Sequence, residues 1–125
     1  MPDDMPPAGS LPVLIVDDEP AILDLLRSVL EDEGFTVITA SNGAAALYLI
    51  QRTPIALVLT DLMMPLVSGI ELARQLHSSP QTASIPLLLM SAAMPQQINP
   101  IFAAVIHKPF AVDKVVSIVR QFLPV

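Results

Sequence analysis

Residues 13–30 read VLIVDDEPAILDLLRSVL. Val13-Leu14-Ile15-Val16 is an unbroken apolar run rich in β-branched residues, the pattern of a strand covered on both faces. Asp17-Asp18-Glu19-Pro20 ends it. A proline in the first helical turn after acidic residues marks a helix start. Ile22, Leu25, Leu26, Val29 and Leu30 then recur at helical spacing, and Gly34 stops that helix. A doubly buried strand feeding an amphipathic helix is the building unit of a parallel sheet, because parallel neighbours can be joined only by a crossover.

The same alternation continues along the chain. Phe35 to Thr39 predicts a second strand, and Asn42 caps a helix from Gly43 to Arg52 that Thr53-Pro54 ends. Ile55 to Thr60 is a third apolar strand, finishing at Asp61. Ile70, Leu72, Ala73 and Leu76 carry a third helix, and Ile85 to Met90 a fourth strand. Ala103 to Ile106 is a short fifth strand, and Val112, Val115, Val116, Val119 and Leu123 place a last helix. The expected class is α/β, a doubly wound five-stranded parallel sheet with helices on both faces. Met1 to Ser10 carries Pro2, Pro6, Pro7 and Gly9 and no apolar period, so residues 1–10 are expected to be a disordered tail before one domain over residues 11–125.

Composition agrees with this layout. Of 125 residues, 53% are hydrophobic and only 14% charged, against about 25% charged in ordinary globular chains. Such a chain is not intrinsically disordered over most of its length. The most apolar stretch, Ile85 to Met94, is far shorter than the roughly 20 residues of a membrane-spanning helix, and no secretory signal pattern opens the chain. The absence of cysteine excludes disulfides, thiolate metal sites and cysteine nucleophiles. Twelve acidic residues against six basic ones give a net charge of -6, a surface that repels nucleic acid and anionic lipid.

Ligands of open α/β sheets bind at the carboxyl ends of the strands. The first strand ends in Asp17-Asp18, the third in Asp61, the fourth in Ser91 and the fifth in His107-Lys108-Pro109. Parallel strands bring these ends to one edge, gathering three carboxylates, a hydroxyl and an ammonium around one crevice. Close carboxylates repel and raise one another's pKa unless a cation lies between them. Mg²⁺ suits such a set, since it takes one or two carboxylates together with water and phosphate oxygens. Lys108 adds a second positive charge suited to a phosphate oxygen, and a carboxylate beside both is a nucleophile towards phosphorus. Each feature alone has a plainer reading: Asp-Asp after a strand is a helix cap, Lys-Pro a loop, Asp61 a turn residue. Their joint occurrence at strand ends, in this order, favours the site. His107 is expected to face outward, and Glu19 is read as a helix-start charge.

Over nearly all of Leu11 to Val125 the sequence resembles the response-regulator receiver domain of two-component signalling. The resemblance is carried by Val13 to Glu19 (VLIVDDE), by residues 60–69 (TDLMMPLVSG), by Ser91-Ala92 and by Lys108-Pro109-Phe110. It implies a flavodoxin-like, CheY-like fold and a cytoplasmic signalling switch. It implies that Asp61 is the phospho-acceptor, and that Asp18 and Asp61 bind Mg²⁺ directly together with the backbone carbonyl of Met63, while Asp17 acts through water. Ser91 becomes the switch hydroxyl, and Lys108 the partner of the phosphoryl oxygen or of Asp61. The implied donor is a histidine kinase or a histidine phosphotransfer protein, with a homodimer as a further expectation and neither membrane nor nucleic acid bound directly.

The chain departs from the family pattern in two places. Only 17 positions separate Ser91 from Lys108, several fewer than usual, and Pro95 and Pro100 fall between them. The helix expected between the fourth and fifth strands should therefore be short, displaced or missing. Three residues before the lysine, where the family generally carries a rotating Tyr or Phe, stands Val105. Phe102 is near it and is read as core. Two rivals follow from the same residues. An aspartyl phosphohydrolase would place a second acid two residues after its nucleophile, where this chain has Met63. A pseudo-receiver that binds partners without phosphorylation would keep the fold and have no need of the intact Asp17, Asp18, Asp61, Ser91 and Lys108.

Overall fold

The computed structural model describes residues 11–62, 67–92 and 101–123. The strands β1 (Val13–Val16), β2 (Val37–Ala40), β3 (Leu57–Asp61), β4 (Leu87–Ser91) and β5 (Ala104–His107) pair in parallel. They make one sheet in the order β2-β1-β3-β4-β5. The helices α1 (Pro20–Asp32), α2 (Gly43–Arg52), α3 (Gly69–His77) and α4 (Val112–Phe122) cover it. The chain steps from β1 outward to β2, then returns past β1 to β3. The strand order therefore reverses between β1 and β3, the position where such sheets open a crevice for ligand.

The strand pleat explains why the strands are apolar along most of their length. Val13, Ile15, Leu57, Leu59, Leu88 and Met90 face a core completed by Leu23, Leu26 and Leu30 of α1 and by Val115, Ile118 and Val119 of α4. Their neighbours Leu14, Val16, Val58, Leu87 and Leu89 face the opposite way, onto Ala46 and Ile50 of α2 and Leu72, Ala73 and Leu76 of α3. Alternate side chains point to opposite faces, and both faces are covered, so the central strands β1, β3 and β4 are buried throughout, while the edge strands β2 and β5 are partly exposed. The sheet consumes the apolar residues that the composition records.

Helix starts follow the expected chemistry. Pro20 opens α1, whose N-cap Glu19 makes no side-chain cap, and Gly34 follows the helix with a left-handed φ of 96° that favours glycine. The Asn42 side chain accepts a hydrogen bond from the Ala45 amide at 2.8 Å. Ser68 does the same for α3, accepting from the Glu71 amide at 3.2 Å, a cap the sequence reading passed over. Ala111 gives α4 no side-chain cap.

The strand limits differ from the sequence reading. β2 to β5 begin one or two residues later than their apolar runs and end one residue later. Phe35 and Ile55 are buried without belonging to a strand, because they fill the core beneath the strand entrances. Asp61, Ser91 and His107 are inside the ladder, because pairing belongs to the backbone and not to side-chain polarity. The helix expected between β4 and β5 falls mainly on residues 93–100, outside the described residues, as do the tail 1–10 and Met63. Among the described residues, no helix is long and apolar enough to cross a membrane.

Adjacent leucines on α1 give a test of this packing. Leu26 is wholly buried and Leu25 is 44% exposed. Leu26→Ala is expected to lower the unfolding free energy in urea by about 2.5–4 kcal/mol, as a cavity in a close-packed core does. Leu25→Ala should stay within about 1 kcal/mol of the parent.

Candidate functional site

Asp17 directly follows β1 and is fully buried. Its Oδ1 accepts a hydrogen bond from the Glu19 amide at 2.9 Å, which turns the chain from strand into α1 and fixes the carboxylate. Across the strand-order reversal, Asp61 closes β3 with 9% of its surface exposed. Asp18 faces solvent. One carboxylate oxygen from each of Asp17, Asp18 and Asp61 lies within 4.8 Å of the others.

Lys108 enters from the end of β5. Its Nζ donates to Asp17 Oδ2 at 3.0 Å, stands 3.3 Å from Asp61 Oδ1, and reaches Glu19 Oε1 at 3.9 Å. The Lys108 amide donates to the Ser91 carbonyl at 2.9 Å, and the Lys108–Pro109 peptide is cis. Ser91 is buried as the last residue of β4 and pairs in register with His107.

The electrostatics of this crowding are uneven. Burial pushes the Asp61 carboxyl above its ordinary value, and the charge of Asp17 adds to the rise, against the opposing pull of Lys108. For Lys108, burial works against the ammonium, but the hydrogen bond and charge of Asp17, then of Asp61, outweigh it and hold the lysine above its ordinary value. One ammonium thus serves two buried acids. The remaining negative charge of three carboxylates is a demand for a hard cation. An all-oxygen donor set with its atoms this close suits a small divalent ion.

The residues picked out by sequence therefore divide. Asp17, Asp18, Asp61 and Lys108 are brought together, and Ser91 stands at the neighbouring strand end, joined to Lys108 through the backbone. His107 is exposed, as expected. Val105 is half-buried in β5, opposite Leu89, and packs with the buried Phe102 on the α2–α3 side of the sheet. The sequence reading missed the reach of Glu19 to Lys108 and the close backbone packing at Gly43 and Gly69. Only the turn at Pro20, which swings Glu19 back towards the strand ends, hinted at the first.

A parallel sheet whose strand-order reversal holds three acids and a lysine is the architecture of a phosphoryl-handling signalling domain. The response regulator receiver domain family matches residues 13–120, and the chain belongs to that family. Receiver domains are signalling switches of two-component systems, not metabolic enzymes. The response regulator Rre1 of Synechocystis is 33% identical over 122 residues, covering 93% of this chain and 53% of that protein. The phosphate regulon transcriptional regulatory protein PhoB of Rhizobium meliloti is 44% identical over 81 residues, or 64% of this chain and 35% of that one. The chain spans about half the length of the curated relatives it matches. Among solved structures, the response regulator TrrA of Thermotoga maritima, in complex with Mg²⁺ and BeF, superposes with a TM-score of 0.81 at 29% identity, covering 90% of this chain and 99% of that one. The chemotaxis response regulator CheY4 of Vibrio cholerae gives 0.86 at 24% identity, which speaks for the fold.

A carboxyl whose pKa is raised by folding favours the native state below its unfolded pKa and loses that contribution as pH rises through the folded value. At neutral pH in a chelator, Asp61→Asn is therefore expected to melt above the parent, by about 3–6 °C for each kcal/mol of relieved repulsion. The gap should widen from pH 4 to pH 7 and shrink when Mg²⁺ is added. Lys108→Met leaves the buried Asp17 unpaired, and is expected to lower stability by about 2–3 kcal/mol in the same thermal scans.

Proposed function

We propose that Asp61 is the phosphoryl acceptor of this receiver domain, charged by a histidine kinase or a histidine phosphotransfer protein. The observation that supports it most is the Lys108 ammonium set between Asp17 and Asp61, at 3.0 and 3.3 Å, where the strand order reverses. A carboxylate oxygen of Asp61 attacks the phosphorus of a phosphohistidine. The O–P bond forms as the N–P bond breaks, and the released imidazole takes up a proton. Hydrolysis reverses the state: water attacks phosphorus, the O–P bond breaks, and carboxylate and phosphate are restored.

Asp18 and Asp61 would hold Mg²⁺ directly, with Asp17 acting through water and the Met63 carbonyl, outside the described residues, completing the protein ligands. Bound there, the ion offsets the charge of the acids and of the incoming phosphoryl oxygens. Lys108 exchanges a carboxylate partner for a phosphoryl oxygen, as a flexible point charge can. Ser91 donates its hydroxyl proton to another. The dianionic group adds charge and acceptor oxygens where a carboxylate stood, and the ends of β4 and β5 adjust to it. The complete set of Asp17, Asp18, Asp61, Ser91 and Lys108 speaks against a binding module that works without phosphorylation. The acidic surface disfavours direct contact of this domain with nucleic acid.

The output step differs from that of receivers with a ring three residues before the lysine. Val105 has no ring to turn, and Phe102 already lies in the core, 7% exposed. Phosphorylation is therefore read as a smaller rearrangement, centred on the strand ends.

Incubation with acetyl phosphate and Mg²⁺, followed by intact mass, is expected to show one added phosphoryl group that Asp61→Asn abolishes. An adduct that survives the substitution contradicts the assignment. Amide chemical shifts with and without beryllofluoride, the ligand type bound by TrrA, should move around Asp61, Ser91 and Lys108. Large movements throughout Val105 to Val116 would sink the reading of a muted output.

A further inference from the structure

Gly43, the first residue of α2, and Gly69, the first residue of α3, approach their neighbours more nearly than any side chain allows. A β-carbon on Gly69 would lie 2.5 Å from the Asp61 carbonyl oxygen and 3.0 Å from the Leu62 Cα. The Gly69 amide donates to the Leu62 carbonyl at 2.9 Å. The start of α3 is thus seated on the backbone of the acceptor residue itself. Two residues earlier, Val67 is seated on a different helix. A β-carbon on Gly43, the buried first residue of α2, would collide with the Val67 carbonyl oxygen and lie 2.6 Å from its Cβ and 2.8 Å from its Cγ1.

Neither side of that second contact yields easily. Gly43 is held by the Asn42 cap, where the side chain binds the Ala45 amide and the Asn42 carbonyl accepts from the Ala46 amide at 3.1 Å. Val67 precedes Ser68, which caps α3, and Gly69, which rests on Asp61. A methyl group at Gly43 therefore drives Val67 away by a distance on the order of 1 Å. Among the described residues, the strain passes along the chain through Ser68 to Gly69, which rests on Asp61 and Leu62. Shifts of that size between reacting atoms cost about a hundredfold in rate.

We infer that Gly43, on α2 and outside the acidic cluster, is a positioning residue for the Asp61 carboxylate, acting through Val67 and Gly69. The inference rests on the reading of Asp61 as acceptor. Alanine at a helix start is otherwise acceptable, and in helix interiors it is preferred to glycine, so a loss at this position reports the collision and not helix propensity.

The test compares wild type, Gly43→Ala, Val67→Gly and the double variant, each as the full chain. Phosphorylation by acetyl phosphate in saturating Mg²⁺ is followed by intact mass, well below every melting temperature, where circular dichroism shows complete folding. Under those conditions a merely structural role leaves the rate unchanged. Gly43→Ala is expected to lower the rate constant at saturating donor by about tenfold or more, with little change in the donor KM. The double variant, relieved of the Cβ and Cγ1 contacts, should recover part of that loss while remaining slower than Val67→Gly, because the carbonyl collision persists. If Gly43→Ala does not fold, the comparison of the double variant with Val67→Gly decides, and equal rates overturn the proposal. A phosphorylated wild type with an equally fast Gly43→Ala overturns this proposal alone. A wild type that gains no phosphoryl group overturns the acceptor reading, and this inference with it.

Discussion

The Lys108 ammonium lies between two buried carboxylates, and the rest of the site is arranged around that imbalance. Asp17 is fully buried and Asp61 nearly so. Removing a carboxylate from water is expensive unless a charge or a set of hydrogen bonds replaces the water. Asp17 obtains both, from Lys108 Nζ and the Glu19 amide. Asp61 obtains the longer share of the same lysine, and its raised pKa records the shortfall. A site that holds one acid satisfied and the other under-compensated is prepared for a cation and for an electrophile that replaces the carboxylate charge.

The sheet makes that arrangement possible by being rigid and featureless elsewhere. Every residue of β1, and all of β3 before Asp61, is buried. Their side chains alternate between two separate cores, so neither strand can slip by one residue without exchanging the helices it packs on. The strand ends are thereby fixed in three dimensions. Four side chains from β1, β3 and the segment after β5 converge without a loop of their own design. Apolar strands carry no charge along most of their length; most charged residues lie on the helices, and Asp17, Asp18, Asp61 and Lys108 stand where strands stop.

How much of this was legible in the sequence can be argued residue by residue. Strand and helix identity, the Asn42 cap and the convergence of Asp17, Asp18, Asp61 and Lys108 all follow from hydropathy period, cap chemistry and strand-end position, which are local properties. The strand limits did not, because Phe35 and Ile55 are apolar for the sake of the core and not of the ladder. Ser68 was hidden within a motif whose other residues drew the reading towards chemistry. Glu19 looked like a helix-start charge, and its reach to Lys108 depends on a lysine 89 positions later. Glycine is the least legible residue of all. Gly34 announces itself by ending a helix. Gly43 and Gly69 are glycines because of what stands opposite them, and no local pattern records that.

The Lys108 amide is bound to the Ser91 carbonyl, so the backbone after β5 is tied to the end of β4 even though the lysine side chain is free to swing. Ser91 in turn is paired with His107, in the ladder that ends beside it. Under the proposed acceptor role, side chains that turn towards a new anion would do so from one shared backbone junction. In a receiver with an aromatic ring in the middle of the fifth strand, a side chain can convey that movement across the sheet. Here the corresponding residue is Val105, half-buried against a core that Phe102 already fills. A β-branched side chain is stiff about its first torsion and has no ring to turn. Under the proposed acceptor role, the response would then centre on that junction and the exposed residues around it.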